Sequence, residues 1–274
     1  MCATRTICLH DRDKIEAFLR RRIFLNIYQL GDLDDYFWPH TTWYALTGNA
    51  EIKAIALIYS GLNVPTLLAM AGDDEELSLV EGLLSSIKHL LPRKFYSHLG
   101  VGLADTLSGE YCMDSHGKHL KMALTNTSRL DQFDTSDVVA LPAANAGELL
   151  DFYTASYPGH GFEPSMLLDA EMQGLETGQY CGIRGDHGLI CVAGVHVYSR
   201  EYGVAALGNI ATHPAYRRKG HAAMTIAALC KKLLKTVQHI GLNVKAENHA
   251  AIACYQKLGF ETVGTYEEYN ATPR

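Results

Sequence analysis

Apolar positions recur along this chain in two series of runs, each moving between helical and strand-like spacing. In the first series, residues 13–22 begin with an acid and place Ile15, Phe18 and Leu19 on one side, which predicts an amphipathic helix. Residues 24–33 predict a second helix, with Gly31 near its end. Three strand-like runs follow at 42–46, 52–59 and 66–70, with turns at Gly48-Asn49 and Gly61-Leu62-Asn63. The spacing then predicts a helix over 74–90, stopped at Pro92, a strand over 95–99, a short helix over 103–110 and a strand over 119–124.

The second series opens with a strand at 138–141 and helices at 145–157 and 163–174. Strands at 180–183, 189–198 and 204–212 precede a helix at 219–236, a strand at 239–245, a helix at 249–258 and a strand at 260–266. Both series contain three strands, helix, strand, helix, strand. That order predicts two copies of one α/β architecture built on mixed sheets. The polar, periodless stretch from Thr125 to Asp137 is the natural joint. The expected domains are therefore 1–125 and 138–274, with a linker at 126–137.

The chemistry concentrates where the apolar run from Val204 to Ala211 breaks at His213-Pro214. Proline disfavours the helical region for the residue before it and donates no ladder bond. The chain then reads Arg217-Arg218-Lys219-Gly220-His221-Ala222 and enters Ala- and Leu-rich helical sequence. A helix start presents unpaired N–H groups and the positive end of the dipole. Three cations there, and a glycine with no side chain to obstruct a ligand, make a candidate pyrophosphate cradle. A solvated basic first turn is the plainer alternative. Further on, Asn248 to Phe260 places Ala251, Cys254, Tyr255 and Leu258 at helical spacing, with Asn248 as cap and Gly259 as stop.

Arg217, Gly220 and Ala222 match the acyl-CoA signature [Arg/Gln]-x-x-Gly-x-[Gly/Ala], and Asn248 to Phe260 matches Asn-x-x-Ala-x-x-x-Tyr-x-x-x-Gly-Phe. With both motifs in order, the chain resembles the GNAT N-acetyltransferase superfamily. Its two-part layout is similar to the glycine N-acyltransferase-like branch, which keeps a degenerate first domain. The resemblance implies acetyl-CoA, or another acyl-CoA, as co-substrate. It implies that the Ile210-Ala211-Thr212 backbone pairs with the pantetheine arm, that N–H groups from Arg218 to Ala222 take the pyrophosphate, and that Asn248 touches the pantetheine. It also makes Tyr255 the proton donor to the departing thiolate; a phenol, with a reference pKa of about 10, can do this in a dry site. A cap role for Asn248 and a core role for Tyr255 remain open beside these. In relatives a helix pair and its loop border the acceptor, which draws attention to the loop from Tyr157 to Phe162.

The general base is not legible. Strand 204–210 has no carboxylate, where many relatives carry a glutamate. Asn209 can orient an amine or a water but cannot accept a proton as a base. Glu201, Tyr198, Glu247 and His196 are substitutes, and His196 suits best by its ordinary pKa; a structural histidine is the alternative.

The start of the first-half helix, Gly72-Asp73-Asp74-Glu75-Glu76, is acidic and would repel a pyrophosphate, so the second half is the expected acyl-CoA binder. The net charge of -6 over 274 residues argues against nucleic acid as a partner. None of the seven cysteines sits at C-x-x-C spacing, so small buried thiols, and no metal, are expected. No run reaches the length of a membrane span and no signal-peptide pattern opens the chain, which predicts a cytoplasmic protein without membrane association. The expected activity is acyl transfer from acetyl-CoA to a primary amine of a small molecule or amino acid, by direct attack in a ternary complex. A non-catalytic acyl-CoA-binding regulatory module is the alternative.

Overall fold

The structure is a computed structural model that describes residues 4–156 and 178–274. The expected loop from Tyr157 to Phe162 and the expected helix at 163–174 lie outside the described residues. The chain forms two compact units. One comprises Met1–Lys121, Lys245–Glu247 and Thr262–Arg274; the other comprises Met122–Val244 and Asn248–Glu261.

In unit 1, β1 (Arg5–Cys8) leads to α1 (Arg12–Leu19) and α2 (Ile27–Gly31). Then come β2 (Thr41–Gly48), β3 (Glu51–Tyr59), β4 (Thr66–Ala69), α3 (Asp74–Ile87), β5 (Phe95–Gly100) and β6 (Tyr111–Leu124). The short strand β1 escapes the sequence reading because its burial never alternates. It is fixed by antiparallel pairing from Arg5↔Thr47 to Cys8↔Tyr44. The short helix expected over 103–110 is only a 3-10 turn, Leu103–Thr106. One face of the sheet is sealed by Val80, Leu83, Leu84 and Ile87 of α3, which pack on Ala54, Ile58, Leu67 and Leu99. On α1, Ile15 and Leu19 are buried, as the amphipathic spacing requires.

With β12 (Phe260–Pro273), the strand order in unit 1 is β1-β2-β3-β4-β5-β12-β6. The chain's last strand, β12 (Phe260–Pro273), lies beside β5, antiparallel from Tyr266↔Gly100 to Ala271↔Phe95. It runs seven residues beyond the expected end at 266. Tyr266 and Ala271 are buried there, so tail side chains complete a core made otherwise from the first half. The division into units thus differs from the expected contiguous split: the tail from Thr262 goes with unit 1, and 126–137 goes with unit 2. A strand's own sequence specifies its period, not the strand it will pair with.

Unit 2 contains β7 (Val138–Ala140), α4 (Ala146–Ser156), β8 (Cys181–Gly185), β9 (Gly188–Ser199), β10 (Val204–Thr212), α5 (His221–Leu233), β11 (His239–Lys245) and α6 (His249–Lys257). Its strands run in the order β11-β10-β9-β8-β7. Leu149, Phe152 and Tyr153 of α4 pack on Val192 and Ala211. From α5, Ala222 and Met224 pack against Ile183, Ile190 and Cys191. Cys191 and Val192 are successive residues of one strand, so the two helices cover opposite faces. Among the described residues no helix is long and apolar enough to cross a membrane.

Cysteines 181, 191 and 230 are buried and Cys254 is half-buried, whereas Cys8 and Cys112 are exposed. The exposed pair departs from the expectation of buried thiols: Cys8 is the last residue of β1 and Cys112 the second of β6, both at exposed strand ends.

Candidate functional site

Two irregularities in neighbouring strands shape the middle of unit 2. The β9–β10 register pairs Ala206 with Val197 and Leu207 with Val195, so His196 is an extra residue on β9. Next, Gly208 pairs with Gly194 and Ala211 with Val192, so Asn209 and Ile210 together oppose Ala193. Both are β-bulges, which bend a strand and re-aim its side chains. Asn209 takes a positive φ of 54°. Its carbonyl oxygen accepts from the Tyr153 hydroxyl, and its Nδ2 donates to Tyr180 Oη at 3.0 Å.

Two glycines make this arrangement possible. A Cβ on Gly208 would stand 1.9 Å from His196 Cδ2, and one on Gly194 would stand 2.2 Å from Tyr180 Cζ. Sequence reasoning missed Gly194, Gly208, Tyr153 and Tyr180. The available signal was a glycine inside each of two adjacent strands, which marks a bulge or a close approach.

The bulge coincides with a parting of strands. Parallel pairing of β10 with β11 runs from Val204↔His239 to Leu207↔Leu242, although β10 continues to Thr212 and β11 to Lys245. From Gly208 onward, the edge of β10 away from β9 has no strand partner among the described residues. Ile210, Ala211 and Thr212 lie on this stretch.

Beyond Thr212 the chain makes a 3-10 turn, Pro214–Tyr216, capped by His213 Nδ1, which accepts from Ala215 N at 3.3 Å. Arg217 Nε donates back to the Thr212 carbonyl at 3.1 Å, and Lys219 Nζ stands 5.3 Å from the Tyr216 ring centroid. Arg218 and Gly220 both adopt positive φ, 65° and 87°. α5 begins at His221, two residues after the expected start, with Gly220 as its cap residue and no side-chain cap. Among the described residues, no acceptor meets the main-chain N–H groups from Arg218 to Ala223. The ring Nδ1 of His221 is likewise buried without a partner. A Cβ on Gly220 would meet nothing within 4 Å, so space lies open over this uncapped helix start.

The start of α3 in unit 1 is its opposite. Asp73 Oδ1 accepts from Glu76 N at 2.9 Å, and Glu76 Oε2 accepts from Gly72 N at 2.7 Å, a reciprocal cap. Arg22 binds both carboxylates, reaching Glu76 at 2.8 Å. Here carboxylates of the chain itself take the Gly72 and Glu76 donors.

Asn248 caps α6, its Oδ1 accepting from Ala251 N at 3.2 Å. Tyr255 is 7% exposed, with its ring centroid 5.9 Å from that of Phe260. Burial, followed by the proximity of Cys191, pushes the Cys254 thiol up. Cys191 Sγ lies 3.3 Å from Thr212 Oγ1, near the outer end of β10. Tyr198 Oη donates to Thr236 Oγ1 at 2.9 Å, past the far end of α5 from Gly220. Glu201 lies in the turn between β9 and β10, the end of the hairpin away from the bulge, and Glu247 belongs to unit 1. Of the possible bases, His196 is the one the fold brings to the bulge. Among the described residues, no group of three or more His, Cys, Asp and Glu side chains could hold a metal ion.

The strand thus parts from its neighbour at a bulge and feeds an uncapped, basic helix start, leaving main-chain donors there without acceptors among the described residues. Residues 147–260 match the family model described as Acetyltransferase (GNAT) family. This stretch is a GNAT-family domain. Acyl transfer is the general activity of that family, and acetyl-CoA its typical co-substrate. Comparison with curated proteins finds no match.

Solved structures of the same fold extend over the whole chain. A Drosophila protein aligns with a TM-score of 0.69 at 14% identity, covering 99% of each chain. A GNAT acetyltransferase from Colwellia psychrerythraea aligns at 0.59 and 11% identity, covering 98% of this chain and 99% of its own. A tandem GNAT protein from the clavulanic acid biosynthesis pathway aligns at 0.54 and 14% identity, covering 98% of each. The likeness to a tandem protein accords with two GNAT-like units, one of which lacks an open helix start.

Proposed function

We propose that unit 2 is an N-acyltransferase that takes acetyl-CoA, or another acyl-CoA, and passes its acyl group to a primary amine of a small molecule or amino acid. Direct attack occurs with both substrates bound. The observation that carries this reading is the run of unmet N–H groups from Arg218 to Ala223, beside Arg217, Arg218 and Lys219. These donors and the open space over Gly220 fit a pyrophosphate. When bound, the carrier supplies an activated thioester carbonyl; everything else falls to this chain.

Gly208 to Thr212 offers main-chain groups along an edge without a strand, suited to an arm that pairs like a strand. Asn248, already a helix cap, touches the pantetheine arm in this reading. Tyr255 holds a proton at its Oη for the departing sulfur. His196 lines the acceptor side and takes up a proton from the amine. Asn209 acts as an orienting group, because its amide is held by Tyr180. Fixing the two reactants together supplies up to roughly 7–11 kcal/mol of the barrier reduction in favourable systems, which is why geometry at the bulge matters more than any one acid or base.

The test is thiol release by the whole chain with a panel of acyl-CoAs and amines, together with calorimetric titration of acetyl-CoA. Turnover that Tyr255→Phe removes, with acetyl-CoA affinity kept, supports catalysis. Intact binding with no thiol release from any pair would favour the alternative, an acyl-CoA-binding regulatory module. That alternative draws on the absence of a carboxylate from β10.

A further inference from the structure

From Gly208 to Thr212 the edge of β10 away from β9 has no strand partner among the described residues. Half the ladder is missing where an added strand would need a fixed template. Side chains from elsewhere in unit 2 hold the stretch instead. At its inner end two hydroxyls converge on one residue: Tyr153 Oη, from α4, donates to the Asn209 carbonyl, and Tyr180 Oη, just before β8, accepts from Asn209 Nδ2 at 3.0 Å. Both tyrosines are buried, at 2% and 0% exposure, in a cluster otherwise of leucine, phenylalanine, valine and alanine. A phenol in such a core is unfavourable unless its oxygen is bonded. Here both oxygens are bonded to Asn209, which stands at φ 54°, a conformation that a residue with a Cβ holds only against strain.

At the outer end the register fixes a direction. His213 N donates to the Ile190 carbonyl at 2.9 Å, and Thr212 pairs with Cys191. Main-chain groups alternate in direction along an antiparallel pair, so those of Thr212 point off β9, towards the open edge. There Arg217 Nε takes the Thr212 carbonyl at 3.1 Å. Of the three cations at this helix start, Arg217 is the one whose side chain is bonded to the strand among the described residues; Lys219 Nζ stands over the Tyr216 ring instead. The open edge is therefore tied at both ends, at Asn209 and at Thr212.

We propose that Tyr153, Tyr180 and Arg217 are positioning residues that hold the open edge of β10 in the shape an acyl-CoA arm pairs with, before the arm arrives. This rests on the acyl-transfer reading, and it assigns Arg217 to the strand rather than to the phosphates. An edge already in place removes an ordering cost that binding would otherwise meet. Without the ties only a fraction of molecules present the binding shape, and the apparent affinity falls by that fraction.

Calorimetric titration of the whole chain with acetyl-CoA tests this, with far-ultraviolet dichroism and the urea midpoint of each variant measured alongside, so that only folded chains are compared. Tyr153→Phe removes one hydroxyl, and acetyl-CoA affinity should fall about tenfold. Asn209→Ala and Asn209→Gly lose the Tyr180 bond equally, but only glycine reaches the left-handed region without strain. The alanine variant should therefore bind about tenfold more weakly than the glycine variant. In Arg217→Gln, Nε2 lies as many bonds from Cα as Arg217 Nε does, so the variant keeps the donor and loses the charge. It should stay within about threefold of the native affinity, whereas Arg217→Ala should lose about tenfold. The proposal is overturned if Tyr153→Phe binds as tightly as the native chain or if the two variants at position 209 bind alike. It is also overturned if Arg217→Gln falls as far as Arg217→Ala, the result expected of a charge on the phosphates. A native chain that binds no acetyl-CoA would overturn the acyl-transfer reading and this proposal together; native binding with unmoved variants overturns this proposal alone.

Discussion

Gly220 tests the cradle most directly, because its contributions to stability and to binding can be separated. It sits at φ 87° and ψ -7°, in the left-handed region, and a Cβ there would meet nothing within 4 Å. Gly220→Ala therefore adds no clash and removes no contact. Holding an L-residue in this region costs about 1–2 kcal/mol, while the stiffer unfolded chain returns about 0.4–1 kcal/mol. The net expectation is a loss of about 1 kcal/mol, read as a lowered urea midpoint at unchanged slope. Gly220→Asn should lose less, since asparagine tolerates this conformation. Gly220→Glu adds a charge where the pyrophosphate is expected. A carboxylate ~5 Å from one phosphate charge costs roughly 3 kcal/mol at an effective dielectric of ~20. Acetyl-CoA should then bind at least about a hundredfold more weakly by calorimetry. Equal stability of the Gly and Ala forms would refute the conformational argument. Unchanged acetyl-CoA affinity in Gly220→Glu would refute the cradle itself, because no pyrophosphate at this helix start could ignore that charge.

Tyr153→Phe leaves the Asn209 carbonyl without its hydroxyl donor and should cost about 1 kcal/mol in urea unfolding; no loss would mean that the bulge does not depend on that bond. Gly194→Ala forces the buried Tyr180 ring aside and should cost about 1–3 kcal/mol, with acetyl-CoA affinity falling in parallel; a variant of native stability would overturn the close approach. Burial holds the Lys121 ammonium down to about 8, against the opposing effect of Glu268. The unfolded chain keeps that proton to about 10.4, so native stability gains with pH between about 8 and 10.4, and a neutral side chain is favoured most below 8. Lys121→Met should exceed the native chain in stability by up to roughly 3 kcal/mol at pH 7, and the difference should shrink by pH 10; a gap that is constant with pH would contradict a buried, charged Lys121.

Much of the local structure of the candidate site was legible because its parts are close in sequence. Arg217 to Ala222 forms a helix start within one short stretch, and Asn248 caps the helix that carries Tyr255, as their spacing required. The acidic start of α3 was legible too, although not that Arg22, some fifty residues earlier, would bind both Asp73 and Glu76. His196 could be preferred among the possible bases by its ordinary pKa, but its place at a bulge could not be foreseen. Its position follows from a one-residue excess of β9 over β10, which neither strand reveals alone.

The sequence by itself determined most of the element types and the basic turn from Arg217 to Ala222, since helical and strand periods, caps and a basic turn act over a few residues. Tertiary structure alone decided that β12 enters the sheet of unit 1, that β10 parts from β11 after Leu207, and that Gln29 is buried with an unmatched oxygen. Backbone hydrogen bonding is nearly the same for every residue, so a strand's partner and register depend on side chains brought in from distant parts of the chain. Whether a polar atom finds a partner depends on the same distant packing.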